Sequence, residues 1–290
     1  MKLSNNDLST FVRFQREEIT AHIVYKKLAS ITKESANRNV LLEISKEEIK
    51  HYHNLKRYTH TDVKPRKRDI FKYYWLARIF GLTFSIKLME KSEESSQLNY
   101  AAYKEYPDLE AMAREEESHE EKLVVMINEE RLNYMGSVVL GLNDALVEFT
   151  GALAGYTLAL NDSKLIALTG SITGIAAALS MASSEYLSTK SEVDSERHPK
   201  TSAVYTGLAY VVTVVALIAP FIFFKNVLVA LGVMLAVAIL IIALFNYYYA
   251  VARGESFKRR FGEMAALSMG VALISFLIGI LLKQVVEIEL

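Results

Sequence analysis

Two short segments of this chain carry the same pair of metal-ligating side chains at the same spacing. They are Glu48-Ile49-Lys50-His51 and Glu116-Glu117-Ser118-His119. On a helix, residues three apart project from one face, so the carboxylate and imidazole of each segment can reach one ion. Further acids lie in the same half: Glu18 with Glu17 beside it, and Glu90, Glu93 and Glu94. Mixed oxygen and imidazole ligands suit iron or manganese. One such segment in a Glu-rich chain is ordinarily a solvated helix face. Two copies, with further Glu in reserve, favour metal. The second half holds a different set. Asp144 and Glu148 stand four apart in an apolar stretch, as do Met181 and Glu185, and Asn143 adds an amide oxygen. Ionisable groups at membrane depth are costly and mark ion paths or proton relays. Carboxylate, amide and thioether together suit a divalent transition metal that binds and then leaves. Because carboxylates titrate, the same groups can exchange metal for protons.

The elements that must position these residues divide the chain in two. Residues 1–135 hold 23 of the 33 basic and 22 of the 33 acidic residues, while residues 136–290 hold only 10 and 11. Each half is nearly neutral, which argues against nucleic-acid binding, since that needs a basic face. The chain has no Cys, so disulfides, thiolate zinc sites, Fe–S clusters and a rubredoxin-type module are excluded. With 4 Pro and 13 Gly there is little provision for a turn-rich β architecture, and an all-α chain is expected.

In residues 136–290, five apolar stretches run at about 137–160, 165–187, 202–224, 227–249 and 263–282. Each has about the 20 residues that a helix needs to span a hydrocarbon core. Residues 1–50 are polar throughout, so no cleavable signal peptide is expected. Basic residues near the span ends set orientation. Lys190, Arg197, Lys200, Arg253, Lys258, Arg259 and Arg260 lie on one side, against Lys164, Lys225 and Lys283 on the other. This excess puts the N-terminal half in the cytoplasm and the C-terminus outside. Gly151/Gly155 and Gly170/Gly174 are small pairs at spacing four that let helices approach closely.

Residues 1–135 read as a four-helix bundle, with helices over about 6–31, 33–60, 69–106 and 107–133, and Pro107 suits a first turn. One Glu from each of two helices plus Glu-x-x-His from each of the other two is the di-iron carboxylate pattern of ferritin-like bundles. The aromatic stretch 71–80 carries Lys72 and Arg78 and reads as an interfacial or bundle-core segment rather than a sixth span. Its geometry also constrains assembly. If the third helix is continuous, the linker at 61–68 must cover about 46 Å, the sum of two helix lengths. Eight residues reach about 28 Å at most. Either the helix breaks near Gly81, or helices are exchanged between subunits of a dimer. A homodimer is expected on either route.

The residues also carry resemblances. Glu18 followed by Tyr25 and Leu28-Ala29, then Glu48-x-x-His51, Glu90-x-x-Glu93 and Glu116-x-x-His119, resembles the rubrerythrin branch of the ferritin-like superfamily. That resemblance covers nearly all of residues 6–133. It implies a di-iron centre, with Mn or Zn as substitutes, on Glu18, Glu48, His51, Glu93, Glu116 and His119. Glu90 is then the extra carboxylate that lets the pair switch coordination, and Glu94 competes with Glu93. The missing rubredoxin module is a departure that removes the usual internal electron donor. Gly141-Leu142-Asn143-Asp144-Ala145-Leu146-Val147 looks like the first-span signature of the vacuolar iron transporter family. Ser180-Met181-Ala182-Ser183-Ser184-Glu185-Tyr186-Leu187-Ser188 looks like its second. The family pattern more often has Gly at the position of Ala145 and no acid at that of Glu148. The whole resembles membrane-bound ferritins, the erythrin–iron-transporter fusions implicated in iron export.

The leading expectation is therefore a membrane exporter of Fe(II), with Mn(II) as a second cargo. Transport would be coupled to proton antiport, and the di-iron domain would bind, deliver or sense iron. A transport path through Asn143, Asp144, Glu148, Met181 and Glu185 follows. The alternative is a membrane-tethered ferroxidase or peroxide-scavenging enzyme whose helices serve only as an anchor. A third reading is a metal store or sensor without turnover.

Overall fold

The computed structural model describes residues 5–100, 103, 106–126, 134–192 and 197–286. Among them the regular structure is entirely helical. The chain splits into two compact units, Met1–Glu129 and Glu130–Leu290.

The first unit begins with α1 (Asn5–Ile31) and α2 (Ser35–Thr59). Three residues join them, a connection that forces an antiparallel hairpin. Leu28, Leu41 and Ile44 are fully buried in its core, and Ser45 Oγ donates to the His22 carbonyl at 2.9 Å. His60 ends α2 in the left-handed region, with its N–H on the Lys56 carbonyl. The following linker is tied back to α1. Gln15 Nε2 donates to the Thr61 carbonyl at 2.9 Å, and the Arg66 N–H donates to Thr20 Oγ1 at 3.0 Å.

Next come α3 (Lys67–Phe80) and α4 (Leu82–Tyr100), separated at Gly81 with φ of 99°. A Cβ is strained at that dihedral, so glycine is what permits the turn. Ser85 Oγ donates to the Tyr73 carbonyl at 2.7 Å and clamps the start of α4 onto α3. Of the two routes open to the short linker, the chain takes the break, with α3 packed on α1. No exchange of helices is then required by chain length. α5 (Pro107–Met126) starts with Pro at its first position and Asp108 and Glu110 in its first turn. The fourth expected helix continued to 133; residues 127–133 lie outside the described ones.

Among its described residues the second unit has five helices long and apolar enough to cross a membrane. They are α6 (Met135–Leu160), α7 (Ser163–Ser191), α8 (Pro199–Phe223), α9 (Val227–Arg253) and α10 (Phe257–Val286). Their number and order are those expected, although most extend a few residues further. α6 is not uniform: Ala145–Phe149 forms a π-helical turn between two α segments. Small residues set the closest approaches. A Cβ on Gly141 would stand 2.2 Å from the Thr206 carbonyl oxygen of α8, and one on Gly279 would stand 2.8 Å from the Gly155 carbonyl oxygen. The outward face of α7 is apolar at Leu168, Ile172, Ile175 and Leu179. That is the surface a lipid-facing helix presents.

Candidate metal centre and membrane carboxylates

Three helices of the first unit converge their ligating side chains. α1 contributes Glu18, α2 Glu48 and His51, and α5 Glu116 and His119. All five are buried, because each sits on the helix face turned to the interior. One ligand atom from each of Glu18, Glu48, His51 and Glu116 falls within a set no wider than 4.8 Å. His51 Nδ1 is 3.3 Å from Glu18 Oε2 and 3.4 Å from Glu116 Oε1. On the other side, His119 Nδ1 is 3.4 Å from Glu48 Oε1 and 3.5 Å from Glu116 Oε2. The two oxygens of Glu116 thus face different imidazoles, and the rings stack with centroids 5.9 Å apart.

A second layer, missed in the sequence, orients the histidines. Glu115 Oε2 lies 2.6 Å from His51 Nε2, and Glu47 Oε2 lies 2.5 Å from His119 Nε2. The bracing is reciprocal: the acid preceding each Glu-x-x-His holds the outer nitrogen of the histidine on the opposite helix. With Nε2 donating outward, each Nδ1 lone pair is left for the interior. The repeated Glu-Glu-x-x-His doublet was the available signal.

Charge in the cluster is lopsided. Burial opposes protonation of His51, but Glu116 and Glu18 outweigh it and raise its pKa to about 11. For His119 burial likewise opposes, and Glu116 and Glu47 prevail upward. Burial would raise Glu116, yet His119 and His51 hold it below the usual carboxylate range. Three buried carboxylates therefore draw positive charge from any source, and a metal ion is a better-matched source than two imidazolium protons. The donor set of carboxylates plus neutral imidazole nitrogens fits iron or manganese.

The third-helix candidates are on α4. Glu90 is half-buried on α4, with Oε1 shielded from solvent, outside the four-residue set. Glu93 and Glu94 are on α4 too, but their side chains lie outside those described.

In the second unit, Asp144 ends the first α segment of α6 and Glu148 sits within the π turn. Their side chains are within hydrogen-bonding reach of each other. Asp144 is half-buried and Glu148 is exposed. Tyr210 of α8, fully buried, interacts electrostatically with both. Asn143 is half-buried, and Met181 is half-buried against the core of this unit. Glu185 is buried and held: Ser137 Oγ donates to it at 2.6 Å, and Arg197 Nη1 lies 3.6 Å away. Arg197, Ser137 and Tyr210 were not among the residues singled out. Their pairing across helices has no local signature.

A chain whose described residues are all-helical, with five membrane-length helices and an acidic pair at a π turn in one of them, belongs to the class of polytopic membrane proteins. Comparison with known proteins narrows the class for part of the chain. Residues 135–200 match the model of the VIT family. The chain is similar to vacuolar iron transporter homolog 4 of Arabidopsis thaliana, at 27% identity over 138 residues, or 42% of this chain and 70% of that protein. The matched region holds Asp144, Glu148, Met181 and Glu185. No solved structure matches the chain.

Proposed function

We propose that this protein exports Fe(II), and in second place Mn(II), from the cytoplasm by proton antiport. The carrying observation is the Asp144–Glu148 pair at the π turn of α6, inside the region matched to the VIT family. A π turn at membrane depth frees backbone carbonyls from the regular ladder and recurs at functional sites. The relative named as a vacuolar iron transporter homolog supports iron as cargo. An ion entering past Glu185 must compete with Arg197 for its carboxylate. It then meets two neighbouring acids, and giving up protons in exchange for the ion at such a pair would be the elementary step of antiport.

The basic loops support a cytoplasmic N-terminal unit. Glu148 supports a homodimer, because an exposed acid midway along a membrane helix is costly against lipid and a second copy can cover it. In this reading the N-terminal unit is a ferritin-like, rubrerythrin-like di-iron domain. Glu18, Glu48, His51, Glu116 and His119 would hold the irons, with α4 acids completing the set. When bound, two irons supply redox chemistry. Around them, Glu115 and Glu47 fix the imidazoles, and burial keeps bulk water out. A tethered ferroxidase is favoured by this same buried cluster, and transport tells the two apart.

The deciding measurement is Fe(II) flux into proteoliposomes with and without a proton gradient. Uptake should rise with the gradient and be lost in Asp144→Ala. Flux indifferent to Asp144→Ala, or none at all in the intact protein, would remove the transporter reading.

A further inference from the structure

α3 carries apolar side chains on two faces, one buried and the other largely exposed. Ile70, Tyr73 and Ala77 are buried against the other helices. At about 100° per residue, Phe71, Trp75 and Ile79 form a stripe on the opposite side. They are 67%, 45% and 60% exposed, and Phe80 at the helix end is 42% exposed. The Phe71 and Trp75 rings lie together, with centroids 6.0 Å apart, so these two form one aromatic surface. Large exposed apolar patches mark contact sites.

The rim of the stripe identifies the partner. Lys72 borders one edge and Arg78 the other, and Lys67 and Arg68 stand at its N-terminal end; all four are exposed. Aromatic side chains at the centre, flanked by Lys and Arg, describe a helix that lies in the headgroup region of a bilayer. Trp is the side chain that most favours that region. A second copy of the chain is a poorer fit: two such stripes packed face to face would set basic rim against basic rim. An anionic bilayer surface offers both the apolar depth and the opposite charge.

We infer that α3 docks on an anionic phospholipid bilayer, with Phe71, Trp75 and Ile79 inserted below the headgroups and Lys72 and Arg78 pairing with lipid phosphates.

Trp75 is the only tryptophan in the chain, so its fluorescence reports this contact without labelling. The full-length protein would be reconstituted in vesicles of phosphatidylglycerol and phosphatidylcholine with brominated acyl chains. Trp75 should lose most of its emission to the bromine atoms and be shielded from aqueous acrylamide. High salt should reverse both effects, as should Lys72→Gln with Arg78→Gln, since each charge removed lowers the docked-to-free ratio about fivefold. Quenching by acrylamide but not by bromine would leave the stripe in water and overturn the inference. Shielding from both would mean that protein covers it, a second copy included, and would overturn it equally. Bromine quenching that is unchanged in pure phosphatidylcholine would overturn the anionic recognition.

Discussion

At the scale of single residues, the buried Glu/His cluster that we propose as a metal site has two layers. Glu18, Glu48, His51, Glu116 and His119 would supply donors, while Glu115 and Glu47 sit 2.6 and 2.5 Å from the outer histidine nitrogens. Removing an acid of the second kind leaves every donor present but frees a ring to turn. Glu115→Ala and Glu47→Ala should each weaken metal binding by roughly 10–100-fold, the usual effect of losing an outer partner of a ligating histidine. Titration of the metal-free protein with Mn(II), followed by calorimetry, measures this, and Glu116→Ala should lose binding altogether. Unchanged affinity in both outer variants would make the two acids ordinary surface groups. The doublets Glu47-Glu48 and Glu115-Glu116 were visible in the sequence, but their use was not. Each outer acid serves a histidine on another helix, some seventy residues away, and spacing along one helix says nothing of that.

At the scale of elements, composition decided what was legible. Five apolar stretches became five membrane-length helices because a span is specified by length and hydropathy alone. The break at Gly81 was legible as one of two routes, from the glycine itself and from the reach of the linker. The π turn at Ala145–Phe149 was not legible, since one surplus residue in a helix leaves no mark in an apolar run. Nor was the closeness of α6 to α8. The Gly pairs singled out were Gly151/Gly155 and Gly170/Gly174, whereas the tightest approach is at Gly141, over the Thr206 carbonyl. Backbone cannot yield there as a side chain would. Gly141→Ala should therefore force α6 and α8 apart and destabilise the second unit by about 1–3 kcal/mol, the range for overpacking. Gly136→Ala, where a Cβ meets nothing within 4 Å, is the matched control. A lower thermal midpoint in detergent for Gly141→Ala alone is the expected result. Equal midpoints would show that the helices can slide apart freely.

At the scale of the whole molecule, two units use acids in opposite ways. The first is rich in them and buries a few beside two histidines. The second has few and keeps two together at a π turn. If iron reaches the path by way of the first unit, that unit acts on capture and not on passage, because the acids of α6 are unchanged when it is disabled. His51→Ala combined with His119→Ala should then raise the Fe(II) concentration for half-maximal flux while leaving the maximal rate intact. Asp144→Ala should abolish the maximal rate itself. Proteoliposomes that present the first unit to the side where Fe(II) is added separate these two parameters. A fall in maximal rate with the histidine pair, at unchanged half-saturation, would instead make the first unit a switch on the path. No change in either parameter would make it a store that takes no part in transport. The three outcomes are exclusive because capture, gating and storage bear on different quantities: half-saturation, maximal rate and neither.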